Sequence, residues 1–122
     1  MPKTIFVVDD EPSVRRGMKR LLREHGYDAV LFESAQALRD HDHFEEAFCI
    51  ILDINLNDES GIALRYQLAA SGVSLPVIYI TGDDNHRTRI AALESGCIAY
   101  LTKPFTSKSL IGPIELASAN PS

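Results

Sequence analysis

Three carboxylates, a hydroxyl and an ammonium stand at the ends of short apolar runs that are far apart in this chain. Ile5-Phe6-Val7-Val8 runs into Asp9-Asp10, Cys49-Ile50-Ile51-Leu52 into Asp53, and Val77-Ile78-Tyr79-Ile80 into Thr81. Ile98-Ala99-Tyr100-Leu101 leads to Lys103-Pro104. If these groups meet, the like charges of Asp9, Asp10 and Asp53 raise one another's pKa and strain the fold. Lys103 offsets one of those charges and a bound divalent cation the other two. A donor set of oxygens, with no His or Cys, selects a hard ion, and intracellular Mg²⁺ is the natural candidate. Mg²⁺ usually keeps an exchangeable position for a phosphate oxygen. The set therefore suits phosphoryl transfer, in which the protein positions the group and neutralises its oxygens. An aspartate can itself be the nucleophile and form an acyl phosphate. Asp53 is the expected nucleophile, because it stands alone and precedes a flexible loop, Asn55-Leu56-Asn57-Asp58-Glu59-Ser60-Gly61. Asp9-Asp10 reads as the metal clamp, with Lys103 and Thr81 on the phosphoryl oxygens.

These groups converge only if the runs are parallel strands, whose carboxyl ends share one edge of a sheet. The remaining run, Ala29-Val30-Leu31-Phe32, ends at Glu33. Helical spacing fills every gap. Val14, Met18, Leu21 and Leu22 recur between Pro12 and Gly26, and Pro12 suits a first turn. Ser34 can cap a short helix from Ala35 to about Asp40. Ile62, Leu64, Leu68 and Ala69 mark a third helix between Gly61 and Gly72, and Ile90, Ala91, Leu93 and Glu94 a fourth that closes at Gly96. Leu110, Ile111, Ile114 and Ala117 mark a fifth between Ser107 and Ala119, but Gly112-Pro113 falls within it. The alternation predicts an α/β fold: a doubly wound, flavodoxin-like parallel sheet of five strands in the order 2-1-3-4-5, with helices on both faces. That order sets Asp9-Asp10 beside Asp53, with Thr81 and Lys103 further along the edge.

The 122 residues fit one domain, here 1–122 with no linker or repeat, and the tail 118–122 is expected to fray. A net charge of −5 weighs against direct contact with nucleic acid. Arg15, Arg16, Lys19, Arg20 and Arg23 read as a solvated helix face. Too few apolar residues follow Met1-Pro2-Lys3 for a signal peptide or membrane span, so a cytoplasmic protein with no membrane partner is expected. Cys49 and Cys97, lacking Cys or His neighbours at ligand spacing, read as buried reduced thiols. His41-Asp42-His43 reads as a polar loop and His86 as a solvated residue, neither as a metal site.

Over nearly its whole length the chain resembles a response-regulator receiver domain of two-component signalling. The matching elements are Val7-Val8-Asp9-Asp10-Glu11, Asp53-Ile54-Asn55 with Gly61 eight residues after the aspartate, Ile80-Thr81-Gly82, and Lys103-Pro104-Phe105. Phe32-Glu33-Ser34-Ala35 and Ile80-Thr81-Gly82 are most similar to receivers of the FixJ type. The resemblance implies that Asp53 takes a phosphoryl group from the phosphohistidine of a sensor histidine kinase or histidine phosphotransfer protein. It implies Mg²⁺ held by Asp10, Asp53 and the backbone carbonyl of Asn55, with Asp9 acting through water. Lys103 then contacts the phosphoryl group, Thr81 moves to hydrogen-bond it, and Tyr100 swings inward behind. A cis Lys103-Pro104 peptide is implied, as is a partner surface on the fourth helix, fifth strand and fifth helix, a possible homodimer face. The chain would assist its own phosphorylation without being a turnover enzyme.

Some features depart from that pattern. Asn57 stands where such receivers commonly have proline, so the loop after Asp53 is expected to be less rigid. Asp58 and Glu59 place two more negative charges near the expected phosphate position. Gly112-Pro113 predicts a shortened or kinked fifth helix. A Mg²⁺-dependent hydrolase of phosphate esters is the competing reading, yet Asp9-Asp10-Glu11 lacks the Asp-x-Asp order that aspartyl-phosphate phosphatases need. A nucleotide-binding module would need a Gly-rich phosphate loop after the first strand, and Asp9-Asp10 stands there instead. A receiver-like binding module free of phosphorylation is opposed by the intact acid triad.

Overall fold

The structure, a computed structural model, describes residues 3–119. Strands and helices alternate: β1 (Thr4–Val8), α1 (Pro12–Glu24), β2 (Asp28–Phe32), α2 (Ala35–His41), β3 (Ala47–Asp53), α3 (Gly61–Ala70), β4 (Val77–Thr81), α4 (His86–Glu94), β5 (Ala99–Thr102) and α5 (Ser107–Ala119). All strand pairs are parallel and the order is β2-β1-β3-β4-β5, as the alternation predicts. The strands are apolar because they are covered on both faces. Alternate side chains serve opposite layers. Ile5, Val7, Cys49, Ile51, Ile78 and Ile80 pack with Met18 and Leu22 of α1 and Leu110, Ile111 and Ile114 of α5. Phe6, Val8, Ile50, Leu52, Val77 and Tyr79 pack with Leu38 of α2, Leu64 and Leu68 of α3 and Ala92 of α4.

Local chemistry sets the helix ends. Pro12 opens α1 in the first turn, where its missing N–H costs nothing. The Ser34 hydroxyl accepts from Ala37 N at 3.0 Å and caps α2. Ser60 caps α3, accepting from Ile62 N at 3.1 Å. Gly26 and Gly96, at φ +86° and +88°, stop α1 and α4 in the left-handed region.

Several expectations need correction. The fifth helix is not shortened: α5 runs unbroken from Ser107 through Pro113 to Ala119. Pro113 removes the donor that would reach the Ser109 carbonyl, but Ser109 is exposed and water can satisfy that group. Burial of Leu110, Ile111 and Ile114 outweighs the local defect. Ser118 and Ala119 lie within this helix, while residues 120–122 of the expected tail lie outside the described residues. Arg15 is not wholly solvated, since its guanidinium donates to the Asp9 carbonyl at 2.7 Å. Arg16, Lys19, Arg20 and Arg23 are exposed, as expected. Cys49 is buried and Cys97 only half-buried, both free. Among the described residues no helix is long and apolar enough to cross a membrane.

Gly112→Ala and Pro113→Ala each test the balance in α5. The Gly112 position has open space for a Cβ, so alanine there is expected to stabilise by about 0.5–1 kcal/mol. Pro113→Ala restores a helical donor and is expected to add about 1–3 kcal/mol. Urea unfolding followed by circular dichroism measures both, and no gain at Pro113 would mean that α5 carries no such cost.

Candidate functional site

The sheet register brings the acidic strand ends together. Val8 of β1 pairs with Leu52 of β3, so Asp9 and Asp53 follow at the same level. Asp53 pairs with Ile80, which puts Thr81 one step beyond. One carboxylate oxygen from each of Asp9, Asp10 and Asp53 lies within 4.8 Å of the others. Lys103 follows β5, and its Nζ donates to Asp9 Oδ2 at 3.0 Å and to Asp53 Oδ2 at 3.2 Å. The Lys103-Pro104 peptide is cis. A cleft of about 270 Å³ opens here, lined by Glu11, Asp53, Asn55, Gly82, Asp83 and Lys103.

Asp9 is fully buried and Asp53 is 3% exposed. Buried charge is tolerated only when paired and hydrogen-bonded. Asp9 Oδ1 accepts from Glu11 N at 2.9 Å, and Asp53 Oδ1 accepts from Asn55 N at 2.9 Å. Burial is the largest influence on the Asp53 carboxyl and raises its pKa; the Asn55 N–H opposes this, the Asp9 charge adds to it, and Lys103 opposes it. The net direction is upward. For Lys103, burial works to lower the pKa, but the hydrogen bond to Asp9 and the charges of Asp53 and Asp9 outweigh it and hold the ammonium above its ordinary value.

The donor set fits a hard divalent cation: three carboxylates converge, one of them on the half-exposed Asp10, and Lys103 offsets only one charge. Glu11, which the strand-end pattern did not single out, adds a further negative charge, its Oε1 3.6 Å from Lys103 Nζ. Its place directly after Asp9-Asp10 was the available signal.

The loop after Asp53 makes several polar contacts with neighbouring elements. Asn57 N donates to Asp10 Oδ2 at 3.1 Å. Asp58 does not crowd the cleft; its carboxylate accepts from Ala35 N at 3.3 Å and Gln36 N at 3.1 Å, at the start of α2. Slight burial works to raise its pKa, but those N–H groups and the Arg39 charge hold it below the ordinary carboxylate value. Glu59 likewise turns to Arg39, which also bonds Gln36 and Gln67. Both acidic residues therefore serve α2. Gly61 closes the loop where a Cβ would sit 2.3 Å from the Asp53 carbonyl oxygen, so only glycine fits.

Thr81 and Tyr100 are near the site but turned to other partners. The buried Thr81 hydroxyl donates to Asn55 Oδ1 at 2.7 Å and accepts from Asp83 N at 3.1 Å. The half-buried Tyr100 points its phenol to Asp84 Oδ1 at 2.8 Å. His41 ends α2 instead of lying in a loop, its ring edge-on to Phe6 and Phe32 and its Nε2 2.6 Å from Glu46 Oε1. Among the described residues the acidic triad is the one cluster suited to a metal, and it includes no histidine. His86 is exposed, as expected.

Residues 5–115 match the response regulator receiver domain family. Nodulation protein W of Bradyrhizobium diazoefficiens is 31% identical over 114 residues, covering 93% of this chain and 50% of that protein. The transcriptional regulatory protein TdiR of Thauera aromatica is 33% identical over 116 residues, covering 95% of this chain and 51% of that protein. Among solved structures, the response regulator StyR superposes with a TM-score of 0.86 at 36% identity, over 93% of this chain and 58% of its own. FixJ-N superposes with a TM-score of 0.87 at 27% identity, over 100% of this chain and 98% of its own. The chain spans about half the length of the curated relatives it matches.

Two substitutions probe the site. The raised Asp53 pKa means that protonation favours the folded protein, so stability is lost as pH rises from the unfolded carboxyl value, about 3.9, through the raised folded value. Asp53→Asn is therefore expected to stabilise the metal-free protein at neutral pH by on the order of 1 kcal/mol, and the gain should shrink when Mg²⁺ is added. Equal melting temperatures for the two proteins in EDTA would contradict this. Gly61→Ala must push the Asp53 carbonyl aside and is expected to cost about 2 kcal/mol or more, measured by urea unfolding.

Proposed function

The chain belongs to the response regulator receiver domain family, and on that premise we propose that Asp53 is its phosphoacceptor, taking phosphoryl from the phosphohistidine of a sensor histidine kinase or histidine phosphotransfer protein. The observation that carries this reading is the placement of the buried Asp53 carboxylate within hydrogen-bond reach of Lys103 and beside Asp9 and Asp10. An Asp53 oxygen attacks phosphorus, the P–N bond breaks, and its electron pair stays on the imidazole nitrogen, which takes up a proton. Lys103 and the backbone N–H groups around the cleft meet the phosphoryl oxygens. Receiver domains generally bind Mg²⁺ at an acidic pocket; here Asp10, Asp53 and the Asn55 backbone carbonyl would hold it, with Asp9 acting through water. Bound there, it would neutralise charge on the transferred group.

After transfer, Thr81 leaves Asn55 for the phosphoryl group and Tyr100 turns inward, a population shift between two arrangements. The face of α4, β5 and α5 is the surface that responds. Ile90, Leu93 and Leu116 are 41%, 59% and 73% exposed there, which suits an apolar contact such as a homodimer. The reading makes residues 1–122 one receiver unit in the cytoplasm, without direct nucleic-acid or membrane contact. It assists its own phosphorylation and does not turn over a separate substrate. The family match over residues 5–115 favours this over a phosphate-ester hydrolase.

Incubation with Mg²⁺ and acetyl phosphate, read by intact mass, tests the proposal. A gain of one phosphoryl group is expected in the wild type, none in Asp53→Asn, and none in EDTA. Lys103→Met and Thr81→Ala are each expected to slow labelling by roughly tenfold or more. Continuous turnover of varied phosphate esters would favour the hydrolase. Leu93→Lys is expected to weaken any phosphorylation-dependent dimer at least about tenfold, as read by sedimentation equilibrium.

A further inference from the structure

Tyr100 is held on the outside of the domain by a closed set of contacts. Its phenol donates to one oxygen of Asp84, and Arg89 binds the other. The same guanidinium lies over the Tyr100 ring, its Cζ 5.5 Å from the centroid. Ring, carboxylate and guanidinium thus each touch the other two. They come from β5, from the connection after β4 and from α4. We propose that Asp84 and Arg89 form a clasp that keeps Tyr100 in its outward, resting position and so sets how far phosphorylation of Asp53 must shift the balance to release it. The proposal rests on the reading of Tyr100 as the mobile residue behind Thr81.

Charge-assisted hydrogen bonds are stronger than neutral ones, and a guanidinium over a phenol ring adds a further attraction. The inward movement of Tyr100 breaks both at once. Burial, then the Asp84 bond and charge, push the Tyr100 phenol up to about 12, so it stays a donor across the physiological range. The Tyr100 bond is in turn the largest influence holding Asp84 below the ordinary carboxylate value. The clasp is also joined to Thr81. Asp83 N donates to the Thr81 hydroxyl, Asp84 follows, and Asn85 caps α4 by accepting from Thr88 N at 2.9 Å. Movement of Thr81 toward a phosphoryl group therefore pulls on the segment that carries Asp84, and opens the clasp from the side of the site. A ligand that binds only the released state has its apparent affinity reduced by the fraction of molecules already released. Weakening the clasp raises that fraction.

The test is titration of the intact protein with beryllofluoride, a phosphoryl mimic, in Mg²⁺. NMR follows the Thr81 amide for the midpoint and the Tyr100 ring signal, assigned with Tyr100→Phe, for the position of the side chain. Asp84→Ala and Arg89→Gln are each expected to lower the midpoint about tenfold. Each should also move the Tyr100 signal toward its beryllofluoride-bound position before any is added. A simple charge effect on the anion would drive the two variants apart, Asp84→Ala binding tighter and Arg89→Gln weaker; that result overturns the clasp. In a Tyr100→Phe background, Asp84→Ala is expected to change the midpoint less than about twofold, and a tenfold change there also overturns it. Failure of the underlying reading looks different: the wild-type Tyr100 signal stays in place at saturating beryllofluoride, or Asp53→Asn responds as the wild type does.

Discussion

One ammonium among buried carboxylates governs the site end of this domain. Asp9 has no exposed surface, and Asp53 almost none. Removing the partner of a buried charge costs several kcal/mol, because the charge left behind is neither solvated nor paired. That partner comes from far along the chain: Lys103 lies 94 residues from Asp9 and 50 from Asp53. Local structure cannot bring them together. Only the completed sheet, with β1 and β3 central and β5 two places beyond β3, delivers the lysine. The carboxylates outnumber that single ammonium, and the negative charge left over suits a hard cation.

Around that centre, polar ties replace stiffness that the loop sequences lack. The segment after Asp53 carries Asn57 where proline would restrict the backbone, yet it is anchored by Asp10, by the start of α2 and by Arg39. Asp58 and Glu59 direct their carboxylates to those anchors. Gly61 seats the loop on the Asp53 carbonyl because it has no Cβ. The same economy holds on the other side of the cleft. Thr81 and Tyr100 both have hydroxyls with good partners away from Asp53. Each hydroxyl is thereby fixed in one defined position.

On α4 the spacing of apolar residues and their burial do not coincide. Helical spacing in Ile90, Ala91, Leu93 and Glu94 correctly marks a helix. In the fold, however, it is Ala92 that is buried, while Ile90 and Leu93 face outward. The large apolar residues of α4 thus contribute little to the core. Pro113 shows the reverse case. A residue unsuited to a helix interior is carried within α5 because Leu110, Ile111 and Ile114 secure the segment against the sheet.

Sequence by itself determined the architecture and the composition of the site. Short apolar runs separated by helical patterns admit few arrangements other than a parallel sheet covered on both sides, and the residues at the run ends include the carboxylates and the lysine that meet at one edge. Caps such as Ser34 and the helix stops at Gly26 and Gly96 were equally legible, because they depend on a few adjacent residues. Tertiary structure alone decided where the long polar side chains point. Arg15 to the Asp9 carbonyl, Glu11 to Lys103, Asp58 to α2 and Tyr100 to Asp84 each join separate elements or segments. Such side chains have many rotamers of similar energy, and their choice depends on which distant partner the finished fold brings within about 3 Å.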